Sequence, residues 1–214
     1  GEKKVEKIYS DFIKTNNLKK ALSLNNFFIT DFDLYTQHCM VCLQSQFMPA
    51  EQVKKMAELG FLGMMVSPEY GGGGMDTLSY VLAMEEISKI DASCSVLMSV
   101  NNSLVCWGLE EYGTQEQKRK YLIPLAKGEK IGAFCLSEPE AGSDATSQRT
   151  TAIDMGDHYL LNGTKNWITN GSSADYYLVI AQTYPEKKHR GINAFIVEKA
   201  WAGVTVGAKE NKLG

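Results

Sequence analysis

No run of apolar residues in this 214-residue chain approaches the roughly 20 needed to span a bilayer. Neither sign of charge is in excess. Twenty-two Lys and Arg stand against 25 Asp and Glu, for a net charge of -3. That balance gives no electrostatic reason to expect nucleic acid or an anionic membrane as partner. Cysteine is sparse: Cys39, Cys42, Cys94, Cys106 and Cys135. An odd, scattered set argues against a disulfide framework and for a reducing compartment. Cys39 and Cys42 have C-x-x-C spacing, but no second ligand pair exists for a zinc site, so they read as thiols in an apolar stretch. Residues 1–20 lack the apolar core of a signal peptide and mix acids with lysines, unlike a transit peptide.

What is present is ordinary for a globular protein: 44% hydrophobic and 22% charged residues. The length suits one large domain or two small ones. Val5, Ile8, Phe12 and Ile13 fall at helical spacing, which predicts a helix over residues 3–15. Pro49-Ala50-Glu51 opens a second, with Val53, Met56 and Ala57 as its face and Gly60 as its stop. Asp76-Thr77 leads into a third, carrying Leu78, Val81, Leu82 and Ile87. Residues 92–107 are apolar nearly all round, as in a buried helix. Thr114-Gln115-Glu116-Gln117 has the capping-box pattern, and that helix should end near Gly128.

Beyond Gly128 the period shortens. Residues 131–136, 159–161, 166–169, 176–182, 193–198 and 204–206 are short β-prone runs, punctuated by Asn162-Gly163, Asn170-Gly171 and Ala202-Gly203. The expected fold class is therefore α+β, a helical domain followed by an antiparallel, barrel-like β domain. Residues 25–47 fit neither pattern. The domains read as an atypical segment over 1–47, helices over 48–129 and a β-rich part over 130–214.

Two stretches could carry chemistry. Leu136-Ser137-Glu138-Pro139-Glu140-Ala141-Gly142-Ser143-Asp144 follows a strand, and its hydroxyls and N–H groups could serve a phosphate or a heterocycle carbonyl. A plain loop between domains is an equally open reading. In Asn166-Trp167-Ile168-Thr169, a strand would point Trp167 and Thr169 to one face, where an aromatic and a hydroxyl suit a planar heterocycle. Taken alone, a core Trp before a turn is the simpler reading. Gly71-Gly72-Gly73-Gly74 lacks the trailing Gly-Lys-Ser/Thr of a phosphate loop and reads as a flexible helix connection. Glu85 and Glu86 do not converge on a helix and read as a solvated face. Glu138 and Glu140 share one strand-like face with nothing to support a base role. His158 and His189 read as surface residues.

In combination, these pieces resemble the acyl-CoA dehydrogenase family. They run Pro68-Glu69-Tyr70-Gly71-Gly72, Ser99-Val100-Asn101-Asn102-Ser103-Leu104, Tyr112-Gly113-Thr114 with Gln117-Lys118, the Leu136–Asp144 loop, Asn162-Gly163-Thr164-Lys165 and Trp167-Ile168-Thr169-Asn170, closing on Glu210-Asn211-Lys212-Leu213-Gly214. The resemblance covers about residues 48–214, and the 99–104 run is most similar to short-chain, butyryl-type members.

The resemblance implies a helical N-terminal domain and a β middle domain holding FAD, followed by a C-terminal helical bundle. It places Phe134, Leu136, Ser137, Trp167, Ile168 and Thr169 on the flavin, and Gly142 and Ser143 by the pyrophosphate. Ser143 would also lie near the CoA of the substrate, and Leu97, Val100 and Leu104 would line the acyl pocket. The implied reaction is removal of the α proton of a short-chain acyl-CoA by a carboxylate, with β-hydride transfer to flavin N5 in fatty-acid β-oxidation. Electron-transfer flavoprotein would accept the electrons from a homotetramer, in the mitochondrial matrix of a eukaryote or the cytoplasm of a bacterium.

The catalytic glutamate belongs to the C-terminal bundle, so no residue here is named catalytic. The expectation is a truncated, inactive fragment. A non-catalytic flavin or acyl-CoA module and an acyl-CoA oxidase of the same fold are the alternatives. Two further departures stand out. Glu140 replaces a frequent Gly, adding negative charge near the proposed pyrophosphate. Residues 25–46 suggest an intron-derived or misannotated insertion, an idea that an uninterrupted mRNA read would sink.

Overall fold

The computed structural model describes residues 50–208. The expected helix over 3–15, the segment 25–47 with Cys39 and Cys42, and the closing 210–214 motif lie outside those residues. Helix α1 (Ala50–Glu58) buries Val53 and Met56, and Gly60 ends it at φ 82°, where a side chain would be strained. Helix α2 (Thr77–Ile90) starts at Asp76, whose carboxylate accepts the Ser79 N–H at 2.8 Å. Asp91 caps α3 (Ala92–Ser99) through the N–H groups of Ser93 and Cys94. The helix then runs through a π-helical segment, Val100–Cys106, into α4 (Trp107–Tyr112). The 92–107 run is not buried all round: Val96, Leu104 and Trp107 are exposed.

The capping box of Thr114 is present in full: its hydroxyl accepts the Gln117 N–H, and the Gln117 amide accepts the Thr114 N–H. It starts α5 (Gln115–Gln117), which continues through a second π segment, Lys118–Leu122, into α6 (Ile123–Ala126), with Gly128 just beyond at φ 68°. Thr114→Ala should cost about 1 kcal/mol in urea unfolding; no change would mean that water replaces the cap.

The four-glycine stretch is a built connection rather than a flexible one. Gly73, Gly74 and Met75 donate backbone bonds to Gly63, Val66 and Met64 at 2.9, 2.8 and 2.8 Å. A Cβ on Gly72 would lie 2.1 Å from the Val66 carbonyl, so a glycine is needed there.

After the helices comes a five-stranded sheet: β1 (Gly132–Cys135), β2 (Thr151–Asp154), β3 (Tyr159–Asn162), β4 (Tyr176–Gln182) and β5 (Ile192–Glu198). The helices-then-sheet order is the expected α+β arrangement. Strand directions differ from an all-antiparallel expectation: β4 pairs in parallel with β1 and, at its far end, with β2, and antiparallel with β5. Only the β2–β3 and β4–β5 pairs are antiparallel. Strand β2 is absent from the sequence reading. The hairpin after it turns at Met155–His158, not at Asn162-Gly163, which ends β3. Residues 204–206 form no strand; Val204 instead packs under the sheet.

Alternation along β4 builds two cores. Leu178 faces the helices, in a core with Val105, Leu109, Leu122 and Leu125. Tyr177 and Val179 face the other way, with Ala133, Cys135, Ala174 and Ile168. A third cluster ties α1, α2 and α3 together around Leu62 and Met98. The buried Asn101 amide joins helices to sheet: it donates to the carbonyls of Leu62 (2.8 Å) and Leu125 (3.2 Å) and accepts the Gly132 N–H (3.0 Å). No helix among the described residues is long and apolar enough to cross a membrane.

Candidate functional site

The two stretches singled out in the sequence lie side by side. Three bonds align them: Lys165 Nζ to the Leu136 carbonyl (3.0 Å), Asn166 N–H to the Ser137 carbonyl (2.8 Å) and Asn170 Nδ2 to the Gly132 carbonyl (3.1 Å). Residues 165–170 thus run along β1 and its continuation, bringing Phe134, Leu136 and Ser137 beside Trp167, Ile168 and Thr169. Asn170 Nδ2 also reaches the Leu97 carbonyl at 3.5 Å, so the helix expected from the resemblance to line an acyl pocket is tied to the same place.

The expected strand over 166–169 is absent, and Trp167 and Thr169 do not share a strand face. Trp167 sits at φ 59° and Asn170 at φ 65°, and Gly171 and Ala174 close turns onto Ile168 and Asn170. The β-prone residues are overridden because Asn166 and Asn170 find their partners on β1 and its extension. A left-handed conformation costs a bulky residue about 1–2 kcal/mol. Trp167 adopts it and is 61% exposed, a combination that makes it a candidate ligand contact.

The hydroxyls of Ser137, Ser143 and Thr169 make no hydrogen bond within the described residues. Ile168 is half-buried and packs under the sheet, and Phe134 packs toward the helices. Gly142 and Ser143 are exposed beyond a tight turn in which Glu138 and Ala141 exchange backbone bonds at 3.0 and 3.2 Å. A Cβ on Gly142 would meet nothing within 4 Å, so the chain leaves that side open. Asp144 is satisfied locally by Ser147 and Thr146, bonds that hold its carboxyl below the usual range. Partnerless hydroxyls, an exposed strained aromatic and an open glycine fit a flat, polar cofactor with a phosphate tail. Of the residues expected to line the acyl pocket, Leu104 is exposed, Val100 is half-buried and Leu97 lies inside the helical core. Val100 and Leu104 fall on the π-helical segment, a distortion that recurs at functional sites.

Glu138 and Glu140 do not share a face. Glu140 is exposed and pairs with Arg149, which offsets its charge. Glu138 is buried and takes the N–H groups of Arg149 (2.5 Å) and Thr150 (3.1 Å) and the Lys165 ammonium (2.7 Å). Burial disfavours its charged form, yet the bonds from Lys165, Thr150 and Arg149 outweigh that and hold the carboxyl down at about 2. Sequence reasoning missed this anchor; the available signal was that Glu138 falls inside the 136–144 loop and Lys165 inside the Asn162-Gly163-Thr164-Lys165 piece just before Trp167. A depressed carboxyl stabilises above its unfolded value of 4.5. That contribution, about 3 kcal/mol, should fade as pH falls from about 4.5 through about 2. Urea unfolding across that window should show a steeper loss in the wild type than in Glu138→Gln; equal slopes would remove the assignment.

Among the described residues, the remaining cysteines, histidines and paired glutamates weighed in the sequence offer no chemistry here. Burial pushes the Cys106 thiol up and raises Cys135 to about 12, so neither is a nucleophile at neutral pH. His158 and His189 are exposed, and Glu85 and Glu86 flank Lys89 on a solvated face. The described residues hold no group of three or more metal-ligating side chains.

Comparison with known proteins adds a family to this geometry. Residues 35–129 match the N-terminal domain model of the acyl-CoA dehydrogenases, and residues 133–214 match their middle domain model. A short-chain-specific acyl-CoA dehydrogenase of Clostridium acetobutylicum is 51% identical over 166 residues, covering 78% of this chain and 44% of that protein. The butyryl-CoA dehydrogenase structure from Megasphaera elsdenii is 40% identical, with a TM-score of 0.77 over 84% of this chain and 49% of its own. A glutaryl-CoA dehydrogenase from Mycobacterium smegmatis, solved with FADH2, is 39% identical, with a TM-score of 0.74 over 80% of this chain and 43% of its own. The chain thus spans less than half the length of each of these relatives.

Proposed function

Because the chain belongs to the acyl-CoA dehydrogenase family, we propose that it forms the FAD-binding face and one wall of the acyl pocket of a short-chain acyl-CoA dehydrogenase. The observation that carries this reading is the alignment of Ser137 with Trp167 and Thr169: two hydroxyls without a hydrogen bond among the described residues, beside a strained, exposed aromatic residue.

Trp167 would cover one face of the flavin ring and keep water from it. Ser137 and Thr169 would donate to its heteroatoms and fix its orientation. Ser143 and the open backbone at Gly142 would receive the pyrophosphate. Leu104 and Val100 would bound a short acyl chain. When bound, FAD supplies the hydride acceptor for α,β-dehydrogenation of the acyl-CoA, a chemistry that side chains lack. The carboxylate that takes the α proton is not assigned to this chain. In keeping with the resemblance, the full-length protein would act as a homotetramer and pass electrons to electron-transfer flavoprotein. It would work in the mitochondrial matrix of a eukaryote or the cytoplasm of a bacterium.

The test is anaerobic addition of butyryl-CoA to the full-length, FAD-loaded protein: bleaching of the flavin band is expected, and an unchanged spectrum would refute the dehydrogenase reading. The 214-residue chain by itself should bind FAD weakly and give no turnover with an electron acceptor.

A further inference from the structure

Lys165 and Glu138 form a buried ion pair, with side chains 9% and 4% exposed, whereas the other ion pairs among the described residues are more open. Neither residue is among those assigned to the cofactor. All three protons of the ammonium are used: on Glu138 Oε1 at 2.7 Å, on the Leu136 carbonyl at 3.0 Å and on Gln148 Oε1 at 3.1 Å. One side chain thus gathers the end of β1, the approach to β2 and the segment that leads to Trp167.

Stability alone is a weak reason for such a pair, because apolar replacements of buried ion pairs are often neutral or stabilising. Its geometry gives a more specific reason. In a trans peptide the carbonyl and the following N–H point in opposite directions. Fixing the Leu136 carbonyl on Lys165 therefore turns the Ser137 N–H to the other side. The Ser137 carbonyl, in the next peptide, is held at the same time by the Asn166 N–H, so the peptides on both sides of Ser137 are each tethered through their carbonyl oxygen.

We propose that Lys165, held in place by Glu138, is a positioning residue that sets the direction of the Ser137 N–H and hydroxyl toward the flavin. The inference rests on the flavin reading above. Lys165 acts through the loop and does not touch the cofactor. Its ammonium, rather than bulk at that place, is what the site needs, since the tether is a hydrogen bond to one carbonyl oxygen.

The test uses the full-length, FAD-loaded protein and its Lys165→Met, Lys165→Arg and Glu138→Gln/Lys165→Met forms. The double variant leaves no unpaired buried charge and keeps an amide oxygen for the Arg149 and Thr150 N–H groups, so it remains informative if the single variant fails to fold. The readouts are the FAD dissociation constant, the visible spectrum of the bound flavin and the melting curve of the apo form. The double variant should melt as cooperatively as the wild type, yet bind FAD about tenfold or more weakly and with a shifted flavin band. Lys165→Arg should recover most of both. A double variant with wild-type affinity and spectrum would overturn the proposal, as would flavin changes that merely track the loss of apo stability. A wild type that holds no FAD overturns the flavin reading and this proposal together; a wild type that holds it beside an indifferent double variant overturns this proposal alone.

Discussion

Asn101→Leu is expected to lower the thermal unfolding midpoint by roughly 10 °C. The asparagine is fully buried and satisfies three separate partners: the Leu62 and Leu125 carbonyls and the Gly132 N–H. Leucine has a similar size, so packing is largely kept while the Leu62 carbonyl and the Gly132 N–H are stranded and the Leu125 carbonyl keeps only the Gly128 N–H at 3.1 Å. Each stranded buried group costs about 1–3 kcal/mol, and a chain of this size loses roughly 2–4 °C per kcal/mol. Asn102 is the internal control. Its Nδ2 donates to Phe61 and Met98, but its buried Oδ1 has no partner. Asn102→Leu strands fewer groups and removes one that is already unsatisfied, so its effect should be about half as large or less. Equal effects would contradict the assignment of Asn101 as the staple between helices and sheet.

Trp167→Gly should separate stability from binding. Glycine adopts the left-handed backbone without strain, and the lost ring is mostly exposed. Relief of about 1–2 kcal/mol is opposed by the greater freedom that glycine gives the unfolded chain, about 0.4–1 kcal/mol. The apo protein should therefore melt no lower than the wild type. FAD binding should weaken about 10- to 100-fold, in line with the roughly 1–3 kcal/mol that an aromatic contributes when it stacks on a flat heterocycle. Changes of opposite sign are the mark of a residue kept for function at a cost in stability. A variant that melts well below the wild type would instead make Trp167 a packing residue.

The helices were legible in the sequence because their signals are local. Asp76 and Thr114 cap helices where the pattern places them, and Val53 and Met56 form the buried face of α1. Strand β2 was not legible: Ala152 is buried while Ile153 beside it is 52% exposed, the reverse of what hydrophobicity suggests, and the strand exists by virtue of its pairing with β3. The 166–169 run erred in the other direction, with strand-like residues captured by contacts to β1 that no local window contains. Nor does sequence announce a π-helical register; Val100–Cys106 holds two asparagines whose long-range partners lie 24 to 41 residues away. The candidate site residues stood out as motifs, through their resemblance to a family. That Lys165 and Glu138 hold those motifs together is a matter of burial and distance, which needed the fold.

The most direct measurement is a crystal structure of the full-length protein grown with FAD. The isoalloxazine should lie against Trp167, with the Ser137 and Thr169 hydroxyls within hydrogen-bond distance of its heteroatoms and the pyrophosphate beside Gly142 and Ser143. FAD bound elsewhere on the chain, or Ser137 and Thr169 turned away from it, would contradict the account.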